Sequence, residues 1–167
     1  MARKRKKRKR TSSQPFAPPE SKSGQKSIGP DTVLVLDTNE FIFGLTETKQ
    51  SCVDLLDNFD SLTAIIPAMI LREVRTNLES RYQLGKEFFR LLAAGKNITI
   101  LWADPPLELI EKHIALGFAE EDAAIAAAAE WAGAEFVISE NRHFLQKSRG
   151  LTFQTINAET ALKWLRL

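Results

Sequence analysis

This chain of 167 residues contains one cysteine, one tyrosine, two methionines and two histidines. A single Cys52 excludes an internal disulfide and a cysteine-based zinc site, and it fits a reducing compartment, the cytoplasm. Long apolar runs are also missing. No stretch approaches the ~18 residues needed to cross a bilayer, so no membrane association is expected. The cationic start runs into Ser and Pro instead of an apolar segment, which excludes a secretory signal. Neither His113 nor His143 has a partner at metal-ligand spacing. His113, in an amphipathic stretch, reads as structural, and His143, in a polar loop, is left to touch a substrate.

What is present is unevenly distributed. Residues 1–30 hold ten Lys/Arg against one Glu, a net +9, whereas residues 31–167 hold thirteen against twenty acids, a net −7. Arg3, Lys4, Arg5, Lys6, Lys7, Arg8, Lys9 and Arg10 are consecutive, and the Ser/Pro/Gly/Gln-rich segment after them has too few apolar residues to offset its ordering entropy. We therefore expect a disordered basic tail over 1–30 and one folded domain over 31–167, a size at which a single core is well buried. Eight adjacent cations bind polyanions such as RNA by counterion release, without reading sequence. A tail of this length wanders over about 30 Å. It can hold RNA near an acidic domain, attach the protein to ribosomal RNA or serve as a nuclear import signal.

The rest of the chain alternates strands and helices. "TVLVL" (32–36) is a continuous apolar run, as expected of a strand buried on both faces. Cys52, Leu55, Leu56 and Phe59 share one helical stripe, and "LTAII" (62–66) is a second strand. Pro67 suits the first position of a helix running to about Leu78. An amphipathic helix closed by Gly95 precedes a third strand, "NITILW", and Asp104 is placed to cap a helix opening with Pro105 and Pro106. The alanine-rich "EEDAAIAAAAEWAG" has high helix propensity and ends at Gly133. Strands "EFVIS" and "LTFQTI" and a terminal helix follow. Such alternation implies parallel pairing: an α/β fold, a three-layer α/β/α sandwich around a central parallel sheet of about five strands. Trp102, Trp131 and Trp164 read as core or edge packing, and the Phe88/Phe89 helix with Lys86, Arg90 and Lys96 as ordinary amphipathicity.

In a parallel sheet, ligands bind outside the carboxyl ends of the strands. Asp37 stands at such an end, as do Ser139, Glu140 and Asn141. Glu73 lies on the helix after strand two and has no cation at ion-pair spacing, unlike Glu79 with Arg75. Asp122, in the first turn of the alanine-rich helix, aligns with the apolar stripe of Ile125, Ala126 and Ala129, where a carboxylate is costly unless something compensates it. Oxygen ligands without His or Cys among them suit a hard cation, Mg²⁺ or Mn²⁺. A phosphoryl-transfer site of the Asp-x-Asp kind is excluded, because Asn39 stands two residues after Asp37.

"VLVLDTNEF", "IIPAMILREV" and "EEDAAIAAAAEWAGAEFVISENRHFL", in this order and spacing, resemble the PIN-domain nucleases, in particular the VapC-type group, over roughly residues 31–160. The resemblance implies that Asp37, Glu73 and Asp122 are the catalytic acids that hold the metal, with Asn39, Ser139, Glu140 and Asn141 as secondary polar contacts. Family members commonly carry aspartates in the loop after strand four, where this sequence has Asn141 and His143. One ion is therefore expected instead of two. The implied activity is endoribonucleolytic hydrolysis of RNA in the cytoplasm, by a toxin-type enzyme restrained by an antitoxin or by an RNA-processing enzyme with a ribosomal partner. Homodimers are common in the family. The alternative is a catalytically weakened PIN-like RNA-binding module tethered by its basic tail.

Overall fold

A computed structural model of the protein describes residues 26–147 and 149–165. The eight cations at 3–10 lie outside the described residues. Five strands form one parallel sheet in the order β3-β2-β1-β4-β5: β1 (Val33–Leu36), β2 (Thr63–Pro67), β3 (Asn97–Leu101), β4 (Phe136–Ile138) and β5 (Gln154–Ile156). Leu34, Val35 and Leu36 are fully buried, as the unbroken apolar run anticipates for the central strand.

Helices α1 (Thr38–Leu45) and α2 (Gln50–Asp57) connect β1 to β2, and α3 (Ala68–Asn77) and α4 (Gly85–Ala94) connect β2 to β3. α5 (Leu107–Ala115) and α6 (Glu120–Trp131) return the chain to β4 on the other side of β1. α7 (Arg142–Leu145) precedes β5, and α8 (Ala158–Trp164) ends the fold and packs on α2. α6 lies against β2 and β4. Ala123, Ala126, Ala127, Ala128 and Ala129 are all buried, so it is a helix enclosed on most sides. Gly133, at φ +69°, ends it: the Gly133 N–H donates to Glu130 O at 3.1 Å and the Ala134 N–H to Ala129 O at 2.9 Å. This pair of bonds needs a left-handed residue at the turn, which glycine adopts without strain.

The strands lie within a residue or three of their expected places, but two helix starts shift. Pro67 is extended (ψ 140°) and completes β2, so α3 begins at Ala68. α5 begins at Leu107 with Pro106 at its cap, and Asp104 is an exposed partner of Arg72 at 3.9 Å. A residue before proline is pushed out of the α region, and here both Asp104 and Pro105 precede one. Two tryptophans are not core residues: Trp102, beyond the edge strand β3, is 71 % exposed, and Trp131, in the last turn of α6, is also exposed. Trp164 packs edge-on against Phe136 at 5.8 Å. Ile28, inside the stretch assigned to the tail, is 1 % exposed, and its N–H donates to Trp164 O at 2.6 Å. Core packing thus starts before residue 31. His113 is buried between α5 and α6, its Nε2 2.9 Å from Glu130 Oε2.

Candidate functional site

β1 leads towards β2 on one side and its other neighbour, β4, is reached only later, so the direction of winding reverses between β1 and β4. That reversal opens a crevice at the strands' carboxyl ends. Asp37 follows β1 and Ser139 follows β4, which sets them side by side. The Asp37 N–H donates to Ile138 O at 2.9 Å, and the Ser139 hydroxyl donates to Asp37 Oδ2 at 2.7 Å. Asp37 Oδ1 accepts from the Thr38 N–H at 2.7 Å, so the same side chain caps α1.

Hydrogen bonds extend from Asp37 in both directions. The Thr38 hydroxyl donates to Glu73 Oε2 at 2.8 Å, which ties α3 to the start of α1. On the other side the Asn141 N–H donates to Ser139 Oγ at 3.1 Å, and the Asn141 amide donates to Asp122 at 3.2 and 3.3 Å. Asn141 Oδ1 accepts from the His143 N–H at 3.0 Å and caps α7. Glu73, Thr38, Asp37, Ser139, Asn141 and Asp122 form one connected chain, drawn from α3, α1, β1, β4 and α6.

The electrostatics of this chain are unbalanced. Asp37 is 5 % exposed, and burial pushes its carboxyl above the ordinary carboxylate range, against the bonds from Ser139 and Thr38. Asp122 and Glu73 push it further up. Asp122 is also raised, first by burial and then by Glu121, while Asn141 and His143 pull it down. Among the described residues none of the three acids makes an ion pair. A hard divalent cation fits this set of oxygen donors, which repel one another and have no cation of their own.

Glu73 lines an open cleft of about 650 Å³ with Met69, Glu120, Glu121, Ala124 and Ile125. Asp122 lines a neighbouring recess with His143 and Lys147. Asn39 is half-buried and makes no side-chain hydrogen bond among the described residues. Glu140 turns away from this group. It pairs with Lys49 and accepts from the Ala158 N–H at 3.2 Å. With Glu40 and Cys52 it forms a second cluster whose ligand atoms all lie within 4.8 Å of one another. Asp37, Glu73 and Asp122 are more widely spaced than that.

Two residues escaped the sequence reading. Thr38 is in plain view in "LDTN", but its partner Glu73 is 35 residues away and nothing local announces it. Glu40 lies one helical turn after Asp37 on the same face of α1, and that spacing was the available signal.

A family model described as the PIN domain matches residues 34–150. No curated protein matches. Among solved structures, PAE2754 from Pyrobaculum aerophilum is similar, with 20 % identity, a TM-score of 0.57, and coverage of 81 % of this chain and 96 % of that one. A toxin–antitoxin complex from Klebsiella pneumoniae gives 18 %, 0.57, 75 % and 97 % in the same order. VapBC2 from Rickettsia felis, solved with a DNA fragment from its promoter, gives 16 %, 0.54, 75 % and 98 %. These likenesses are of fold. The family match spans most of the chain and includes Asp37, Glu73 and Asp122, and by it this protein belongs to the PIN-domain family.

Proposed function

We propose that this protein is a divalent-metal-dependent endoribonuclease that hydrolyses RNA phosphodiester bonds. The observation that carries this reading is a single hydrogen-bonded chain that links three carboxylates, none of them ion-paired among the described residues, at the reversal point of a parallel sheet. Asp37, Glu73 and Asp122 would hold Mg²⁺ or Mn²⁺. The ion supplies Lewis acidity towards the phosphodiester and towards water. The remaining work falls to the chain's own groups. Ser139 and Thr38 fix the two oxygens of Asp37 and leave it one rotamer, and Asn141 fixes Asp122. Thr38 orients Glu73, the one acid on an exposed helix face. His143 and Lys147, which line the recess with Asp122, would contact phosphate oxygens of the substrate. The basic residues Arg3 to Arg10 would raise the local concentration of RNA near an acidic domain.

In this role the enzyme acts in the cytoplasm as a toxin-type nuclease with an antitoxin, or as an RNA-processing enzyme with a ribosomal partner, and it pairs with a second copy of itself. Support for the antitoxin comes from the toxin–antitoxin complex of Klebsiella pneumoniae, which shares the fold. A second reading rests on Asn141 and His143, which stand where acids are common: a weakened PIN-like module that binds RNA without turnover. The deciding experiment incubates the full chain with a structured RNA in Mn²⁺, in Mg²⁺ and in chelator, beside Asp37→Asn. Metal-dependent cleavage lost in the variant supports the enzyme. RNA binding without cleavage in either metal supports the module.

A further inference from the structure

Glu40 is fully buried in the first turn of α1, and neither carboxylate oxygen has a hydrogen-bond partner among the described residues. A buried carboxylate left without partners is costly, and it either takes up a proton or is met by a cation. One of its oxygens converges with the Cys52 sulfur of α2 and an oxygen of Glu140, which follows β4, all within 4.8 Å of one another. Cys52 is fully buried, and Glu140 is nearly so, held by Lys49 and the Ala158 N–H. We propose that Glu40, Cys52 and Glu140 form a second divalent-cation site, separate from the cleft carboxylates, that takes a borderline ion such as Zn²⁺.

Three arguments favour that ion. Thiolate with carboxylate is a donor set that zinc accepts and Mg²⁺ does not. Donor atoms within 4.8 Å of one another, with Cys52 Sγ 4.0 Å from Glu140 Oε1, surround a point close to the bond lengths of about 2.0–2.3 Å that zinc takes. Charge also closes: a thiolate and two carboxylates beside the Lys49 ammonium leave two negative charges, which one divalent ion neutralises. Without an ion, burial pushes the Cys52 thiol up to about 12 and the Glu40 carboxyl well above its ordinary range, so coordination must displace the thiol proton, and any proton that Glu40 carries, to solvent as the bonds to zinc form.

The consequence reaches the cleft. Glu140 lies between Ser139, which holds Asp37, and Asn141, which holds Asp122. An ion shared by α1, α2 and this loop would lock the loop that positions both acids. A single cysteine was expected to exclude cysteine-based zinc. It excludes a centre of several thiolates, and a mixed site of one thiolate and two glutamates is another matter.

Cys52 is the only cysteine in the chain, which makes the test specific. The full-length protein, stripped with chelator, is titrated with Co²⁺ while thiolate-to-cobalt charge transfer is followed in the near ultraviolet. Carboxylate ligation in the cleft gives no such band. The expected result is a band that saturates at one Cys52-bound ion per chain, is bleached by Zn²⁺, and is absent in Cys52→Ser. Glu40→Gln should weaken binding by at least about tenfold. That variant keeps the shape of the side chain and removes a buried charge, so it should fold in chelator with a Tm no lower than wild type, and only its zinc-dependent rise in Tm should be lost. No band at millimolar Co²⁺ in a chain whose thiol is shown to be reduced overturns the site. So does a band or a zinc-dependent Tm shift that Glu40→Gln leaves unchanged.

Discussion

Two groups of acids begin three residues apart in sequence, at Asp37 and Glu40, and meet different fates. Asp37, Glu73 and Asp122 are tethered by Ser139, Thr38 and Asn141, and the last two of the three acids reach open clefts. Glu40 and Glu140 face inward onto Cys52, with Lys49 paired to Glu140 and, among the described residues, no hydrogen-bond partner for the Glu40 carboxylate. On the proposed function, the first group would hold an ion that exchanges and meets substrate. The second is enclosed, where an ion would stay and stiffen. The contrast shows that solvent access and the donors around a carboxylate, more than its distance from the motif, decide what it can do.

The largest expected effect breaks the first group at its centre. Asp37→Asn removes the one acid in contact with both branches of the chain, and RNA cleavage should fall by more than the roughly 100-fold that losing a supporting contact can cost. Its fold should survive. The new amide can still accept from Thr38 N–H, and a buried carboxylate repelled by Asp122 and Glu73 is gone, so Tm in chelator should match or exceed wild type. A cleavage assay beside a melt checks both parts. Wild-type cleavage in this variant would remove Asp37 from the chemistry.

Asn141 gives the next effect. Asn141→Ala frees Asp122 and uncaps α7, and should reduce cleavage by about 10–100-fold. Asn141→Asp sharpens the comparison, because it exchanges a donor for a repelling charge. In chelator it should lower Tm, and in Mn²⁺ it should bind ions more tightly than wild type. Calorimetric Mn²⁺ titration of both variants distinguishes a site that holds one ion from one that accepts two.

The fold was largely legible because its signals are local. An apolar run such as "VLVL", a Gly at a helix end and an alanine-rich segment each declare themselves within a few residues. The strand-end acids were legible for the same reason, since a parallel sheet has one ligand-binding edge. What escaped was contact between distant segments. Glu140 was grouped with Ser139 and Asn141 by adjacency, yet its side chain points towards Lys49, 91 residues away, and not towards Asp37. In the sequence Cys52 shares an apolar helical stripe, and nothing local links it to Glu40. Only the packing of α1 on α2 faces them toward each other. Asp104 is kept from the cap of α5 for a local reason: Pro105 precedes Pro106 and is pushed out of the α region, so the helix starts only at Leu107.

A pH titration of stability compares the two groups in one experiment. Burial raises Asp37 and Asp122 above the ordinary carboxylate range and raises Glu40 well above it. Between the ordinary range and those raised values the native state binds more protons than the unfolded chain, so stability without metal should fall as pH rises through that window. Asp60 and Glu159, lowered by Lys96 and Lys163, act in the opposite direction from the exposed surface, where screening weakens them. Glu40→Gln should flatten the slope most and Asp37→Asn less. Denaturant midpoints at stepped pH in chelator measure it. A stability that rises through that window contradicts the assignment of buried, ion-free carboxylates.

The smallest effect separates the two groups by their counter-charges. Lys49 is half-exposed and pairs with a nearly buried Glu140, which retains its bond from Ala158 N–H when the lysine is gone. Lys49→Met should therefore cost about 1 kcal/mol in chelator, roughly 2–4 °C in Tm for a domain of this size. Cleavage should change little at saturating Mn²⁺, because Lys49 makes no ion pair with the cleft acids. Zinc should reverse the sign of the stability change. With the ammonium absent, the thiolate and two glutamates attract a divalent ion without competition, and the variant should then gain more from Zn²⁺ than wild type does. A loss of the same size with and without zinc would mean that the ammonium alone satisfies the buried acids. The enclosed group would then differ from the cleft group only in being covered.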